Sequence, residues 1–159
     1  MRIAVAADHA GFPLKEEVRP FIESLGHQVI DLGAFKVQSE DDYPDYAEAI
    51  GKAVEDNLCD RAVLICGSGV GVCIAANKMP MVRACMCHDT YSAHQGVEHD
   101  DMNVLVLGAR IIGPALAYDL VSTFLNARFL REQERFVRRL NKVKAIEARN
   151  MRQAAKLQS

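Results

Sequence analysis

The stretch ICGSGVGVCIAANK, residues 65–78, sets a thiol, Cys66, at the lip of a turn with glycines at 67, 69 and 71. An apolar run leads into it and a helix-like segment follows. A cysteine so placed can be a nucleophile, a metal ligand, a redox thiol, a general base or ordinary core. Spacing removes several of these. A cysteine-phosphatase loop needs an arginine after five intervening residues, and position 72 is Val. A Cys-x-x-Cys redox pair fails because position 69 is Gly. GSGVGV approximates a dinucleotide fingerprint, with Asp89 about one βαβ unit later, but Val72 stands where the third glycine belongs. Core packing is the ordinary fate of a free cysteine, yet a tight turn needs one glycine, not three. Closely spaced glycines let backbone N–H groups converge on an anion at a helix N-terminus. Such an end lowers a thiol's pKa, and the same N–H groups can hold a negative intermediate. A base beside oxyanion-binding amides is what proton abstraction alpha to a carbonyl requires.

Other chemistry-bearing residues are weaker signals. Cys85 and Cys87 share a strand face beside His88, but no second ligand pair completes a zinc site, and buried strand cysteines are the simpler reading. His94 and His99 are five apart, off a common helix face, so they make no metal pair. Arg135 and Arg139 are four apart and share one. That spacing suits a solvated basic stripe, or a guanidinium pair on phosphate oxygens. From Arg128 to Lys156 ten Lys/Arg face three Glu, a charge of +7, which leaves −9 for the rest of a chain of net −2. The basic segment therefore needs an anionic partner. It lacks the aromatic interleaving of a nucleic-acid module, so no nucleic acid is expected.

The elements that must position these residues alternate. Strand-like runs are RIAVAAD, HQVIDLG, RAVLIC, MVRACMC and NVLVLG. Helical spacing covers Pro13 to Leu25, and Pro44 to Leu58 with Ala47, Ile50, Ala53 and Val54 on one face. Continuous apolar strands separated by helices imply an α/β fold, a parallel sheet covered on both faces. Ligands of such sheets bind beyond the strands' carboxyl ends, here DHAG (8–11), CGSGVG (66–71), CHD (87–89) and GAR (108–110). At 159 residues, half of them hydrophobic, one domain is expected over 1–150, with 151–159 a polar C-terminal extension that frays. No apolar run suits a signal peptide or a membrane span, and five cysteines is an odd count; reduced thiols and a cytoplasmic location are expected.

DHAGFPLK, DYPDYA, ICGSGVGVCIAANK, EHDDMNVLVLGARIIG and ERFVRRLNKVKAIE together resemble the type B ribose-5-phosphate isomerases, relatives of the allose- and galactose-6-phosphate isomerases. The resemblance runs in order from Arg2 to about Asn150. It implies a three-layer α/β/α sandwich with a five-stranded parallel Rossmann-like sheet. It also implies a homodimer, able to pair further into a tetramer, with active sites between subunits. The implied reaction is aldose–ketose interconversion of a sugar phosphate through an enediolate, with no metal and no organic cofactor. Cys66 corresponds to the base that moves the proton, and His99 to the residue that opens the sugar ring. Gly67, Ser68, Gly69, Val70 and Gly71 form the loop whose N–H groups hold the enediolate oxygen. Asp8, His9 and Tyr43 correspond to substrate contacts, and Arg110, Arg135 and Arg139 to the phosphate pocket. Three positions depart from the family's pattern. Asp100, in a substrate-contact position, replaces a usual Asn; Phe136 replaces a histidine and Ser68 a frequent threonine.

Overall fold

The computed structural model describes residues 1–157. In chain order the elements are β1 (Arg2–Ala7), α1 (Phe12–Ser24), β2 (Gln28–Asp31), α2 (Tyr43–Glu55), β3 (Arg61–Cys66), α3 (Val70–Ala76), β4 (Ala84–Met86), α4 (Thr90–Asp100), β5 (Val104–Gly108), α5 (Pro114–Asn126) and α6 (Glu134–Leu157). All strand pairings are parallel, in the order β2-β1-β3-β5-β4. Side chains alternate along each strand and so serve two cores. Ile3, Val5, Val63, Ile65, Leu105 and Leu107 face α1, α4 and α5. Ala4, Ala6, Ala62, Leu64, Val104 and Val106 face α2 and α3, where Ala47, Ile50, Ala53 and Val54 meet them as the spacing predicts. The molecule is the expected three-layer α/β/α sandwich.

Strand order explains where a site can form. The chain passes from β1 outward to β2, then returns to place β3 on β1's other side. At that reversal the two following turns diverge, leaving a crevice beyond the ends of β1 and β3. Asp8 follows β1 and Cys66 ends β3.

Local chemistry trims several expected boundaries. β4 is shorter than MVRACMC, because the Arg83 amide donates to the Asn103 side chain and the Ala84 amide to the Asn77 side chain. Those bonds replace a sheet ladder over residues 81–83. α2 stops at Glu55, and Asn57, at φ 55°, turns the chain out of the helix. α6 continues through residues 151–157 of the expected C-terminal extension; the remainder, 158–159, lies outside the described residues.

Sequence patterning did not reveal Lys15. It sits on α1 with no solvent exposure, and its Nζ donates to both Asp31 carboxylate oxygens at 2.7 Å. Asp31 Oδ1 also accepts the Gly33 N–H at 3.0 Å, and Gly33 and Ala34 exchange backbone bonds with Ala7. The ion pair thus fastens α1 and the end of β2 around the segment that presents Asp8.

Candidate active site

Sheet register brings the first two groups together. Ala7 pairs with Ile65, so the next residues out, Asp8 and Cys66, lie side by side at the crevice. Gly11 permits this approach: a Cβ there would stand 2.4 Å from the Ile65 carbonyl oxygen. The Cys66 thiol donates to Asp8 Oδ2 at 3.0 Å, and Asp8 Oδ1 accepts the Gly11 N–H at 2.9 Å. Asp8 is almost fully buried and Cys66 half-buried.

The glycine turn behaves as expected in shape and differently in electrostatics. Gly69, at φ 84°, adopts the left-handed conformation that starts α3. The Gly69 and Gly67 amides pull the thiol pKa down, but burial, then the hydrogen bond to Asp8 and its charge, outweigh them and push it up. The expected lowering by the helix end therefore does not dominate. α3 is only seven residues long, and a carboxylate at hydrogen-bond distance opposes it.

Around this pair stand further expected residues. The Tyr43 ring lies 2.9 Å from where a Cβ on Gly71 would be, and the Arg110 side chain 3.4 Å from the same point on Gly67. His9 is held from behind: its Nδ1 lies 2.6 Å from Asp41 Oδ1, and its backbone N–H donates to the same oxygen. The Tyr46 hydroxyl donates to Asp41 Oδ2 at 3.0 Å. Burial raises the Asp41 carboxyl, but the bonds from His9 and Tyr46 win and hold it below the usual range. Burial and Asp41 together push the Tyr46 phenol up to about 12. Sequence reasoning assigned no role to Asp41 or Tyr46, although Tyr46 lies within the DYPDYA motif and Asp41 directly precedes it.

His99, Asp100, Arg135 and Arg139 form a separate group on α4 and α6. His99 Nδ1 lies 2.7 Å from Gln95 Nε2, and its ring stacks on Phe136 with centroids 3.9 Å apart. Phe136 is buried, so this departure supplies a platform for the imidazole. The Arg135 guanidinium also lies over the Phe136 ring, 4.6 Å from its centroid. Arg139 and Asp100 are exposed, and Asp100 lines a cleft of about 770 Å³ between the β4 segment, α4 and α6. None of these contacts reaches the thiol pair. Among the described residues no three His, Cys, Asp or Glu side chains converge as a metal site. The Cys87 thiol donates to the Cys85 carbonyl oxygen at 3.9 Å, and the interaction between the two side chains holds the Cys85 thiol down at about 7 and pushes that of Cys87 up.

A family model described as Ribose/Galactose Isomerase matches residues 3–143. The chain belongs to that family of sugar-phosphate isomerases. It is 40% identical over 148 residues to ribose-5-phosphate isomerase B of Escherichia coli, covering 93% of this chain and 97% of that one. It is 38% identical over 129 residues to the D-erythrulose-4-phosphate isomerase of Pectobacterium atrosepticum, covering 81% and 85%. The solved ribose-5-phosphate isomerase B of Clostridium thermocellum superposes with a TM-score of 0.90 at 41% identity, covering 94% of this chain and 99% of that one.

Proposed function

We propose that this family member interconverts ribose 5-phosphate and ribulose 5-phosphate, with Cys66 as the base. The observation that carries this reading is the Cys66 thiol, 3.0 Å from Asp8 at the mouth of the Gly67–Gly71 turn. As thiolate, Cys66 takes the proton from C2 of the open-chain aldose. The electrons move to O1, and backbone N–H groups of the turn stabilise the enediolate. The hydroxyl proton of O2 then passes to O1, and the same thiol returns its proton to C1 as the O2 electrons close the C2 carbonyl, giving the ketose with no net change in atoms or charge. His99 Nε2 opens the ring beforehand; with the Gln95 amide donating to Nδ1, that nitrogen carries the exchangeable proton. Asp8, His9, Tyr43 and Asp100 contact the sugar, and Arg110, Arg135 and Arg139 take the phosphate.

His99 contacts Gln95 and Phe136, and Arg135 contacts Phe136, none of them a neighbour of the thiol. That separation supports a homodimer whose site joins Cys66 of one protomer to His99 of its partner. Among the described residues no helix is long and apolar enough to cross a membrane. A cytoplasmic role in carbohydrate metabolism follows from the substrate class. A second reading, a tetrose phosphate, is favoured by the erythrulose-4-phosphate isomerase relative and by Asp100, whose carboxylate tolerates different hydroxyl patterns from an amide.

An isomerisation assay on pentose, hexose and tetrose phosphates tests the choice, with ribose 5-phosphate expected to give the highest kcat/KM. A folded Cys66→Ala variant should lose about 10²–10⁴-fold or more in rate, together with deuterium exchange at C2. Residual exchange near the wild-type rate would remove Cys66 from the role.

A further inference from the structure

The Gly108 amide, at the end of β5, donates to His88 Nε2 at 3.0 Å. A backbone amide can only donate, so Nε2 carries a lone pair and the ring proton sits on Nδ1. Gly108 pairs with Cys66 in the sheet register. The next two amides run the same way: Ala109 N–H donates to the Cys66 carbonyl at 2.8 Å and Arg110 N–H to the Gly67 carbonyl at 2.9 Å. Residues 108–110 are therefore a strap over the thiol turn. Its close fit needs a glycine, since a Cβ on Gly108 would stand 2.6 Å from the Ser68 carbonyl oxygen.

We infer that neutral His88 is a positioning residue for the isomerase, fixing the strap that holds Cys66 and the oxyanion-binding turn. The inference rests on the proposed isomerase reading only for its kinetic consequence. Gly108 is buried, and its N–H has no other acceptor if His88 turns away. Protonation of Nε2 sets a donor against a donor and releases the strap. Displacing a catalytic group by about 1 Å can cost 10²-fold in rate without touching substrate contacts. The groups facing His88 are few. From its own segment come buried Cys87 and the Asp89 carboxylate, which is held low by Ser92 and, to a small extent, by His88 itself. The strap itself carries the Arg110 side chain, which packs against Gly67, and the turn it covers carries the Cys66–Asp8 pair.

Two substitutions separate the acceptor from the ring. His88→Gln can place its carbonyl oxygen near the Nε2 position and accept at any pH, whereas His88→Leu cannot accept. With ribose 5-phosphate, the leucine variant should lose about 10²-fold in kcat with little change in KM. The glutamine variant should restore most of that rate and lose the His88 contribution to the acid limb. By nuclear magnetic resonance, the wild-type Gly108 amide proton should move with the His88 ring titration and stay still in the glutamine variant. This arm reads the strap whether or not ribose 5-phosphate is turned over, so failure of the functional reading is a distinct result. It also decides the matter if the leucine variant does not fold. A Gly108 amide indifferent to the His88 titration, an Nε2–H tautomer, or a leucine variant with wild-type kcat would overturn the inference.

Discussion

A thiol that takes a proton from carbon must first lose its own, and Cys66 holds that proton against a carboxylate. Burial and Asp8 both favour the protonated thiol, while the Gly67 and Gly69 amides favour the thiolate. The arrangement favours a neutral resting thiol and a rate that rises with pH as the thiolate fraction grows. Asp8→Asn removes the negative charge and leaves the burial and the amides, so the thiol pKa should fall. The pH limb for alkylation of Cys66, followed by peptide mass spectrometry, should then move to lower pH. A limb that stays in place or moves upward would mean that Asp8 does not set the thiol's proton affinity. The thiol itself was legible in the sequence because three glycines beside one cysteine have few structural uses. Its partner was not legible as a partner. Asp8 lies 58 residues away and reaches Cys66 only because β1 and β3 are sheet neighbours.

Elements carry the site by being fastened to one another. The Lys15–Asp31 pair joins α1 to β2 and sets the Gly33 turn that bonds to Ala7, one residue before Asp8. Removing Lys15 leaves the Asp31 charge with only the longer Arg19 contact at 3.8 Å and the Gly33 N–H to offset it. Lys15→Ala should destabilise the protein by about 3 kcal/mol, the lower end for such pairs, since Asp31 keeps 18% of its side chain in solvent. Chemical denaturation measures this; a loss well under 1 kcal/mol would show that the pair orients α1 without stabilising it. The Asp41 carboxylate anchors His9 in a similar way, and its pH sense can be stated. Its folded pKa is depressed, so its stabilisation is present above the ordinary carboxylate pKa and is lost as pH falls through the folded value. Asp41→Asn should therefore flatten the acid side of the stability profile. Apolar periodicity made the five strands and the helices between them readable. It could not show Lys15 as buried, because a lysine in a helical pattern ordinarily marks the solvent face. β4 was overestimated for a related reason: side-chain amides of Asn77 and Asn103 took bonds that an apolar run alone assigns to the sheet.

At the scale of the molecule, charge and apolar surface meet on α6. Phe136 and Leu140 are buried, but Val143 and Ile146, the next residues of that stripe at intervals of three, are about half exposed, 50% and 49%. A stripe that runs past its own domain calls for a second cover, and the proposed homodimer supplies one. The same helix carries Arg135 and Arg139, set against an acidic remainder of the chain. Arg139→Ala should weaken sugar-phosphate binding by roughly 1.5–3 kcal/mol, the range for a hydrogen bond to a charged group. Calorimetric titration checks it; unchanged affinity would leave the arginines a solvated stripe and turn attention to His9 and Arg110. Whether the two groups of residues work across protomers has a sharper test. Cys66→Ala and His99→Asn proteins should each be inactive alone. If Cys66 acts with the partner's His99, unfolding and refolding them together creates hybrid dimers with one site intact and one doubly damaged. Random pairing makes half the dimers hybrid, so about a quarter of wild-type activity should return. If both residues of a site came from one chain, every site in every mixture would carry one lesion, and no activity would return at any mixing ratio.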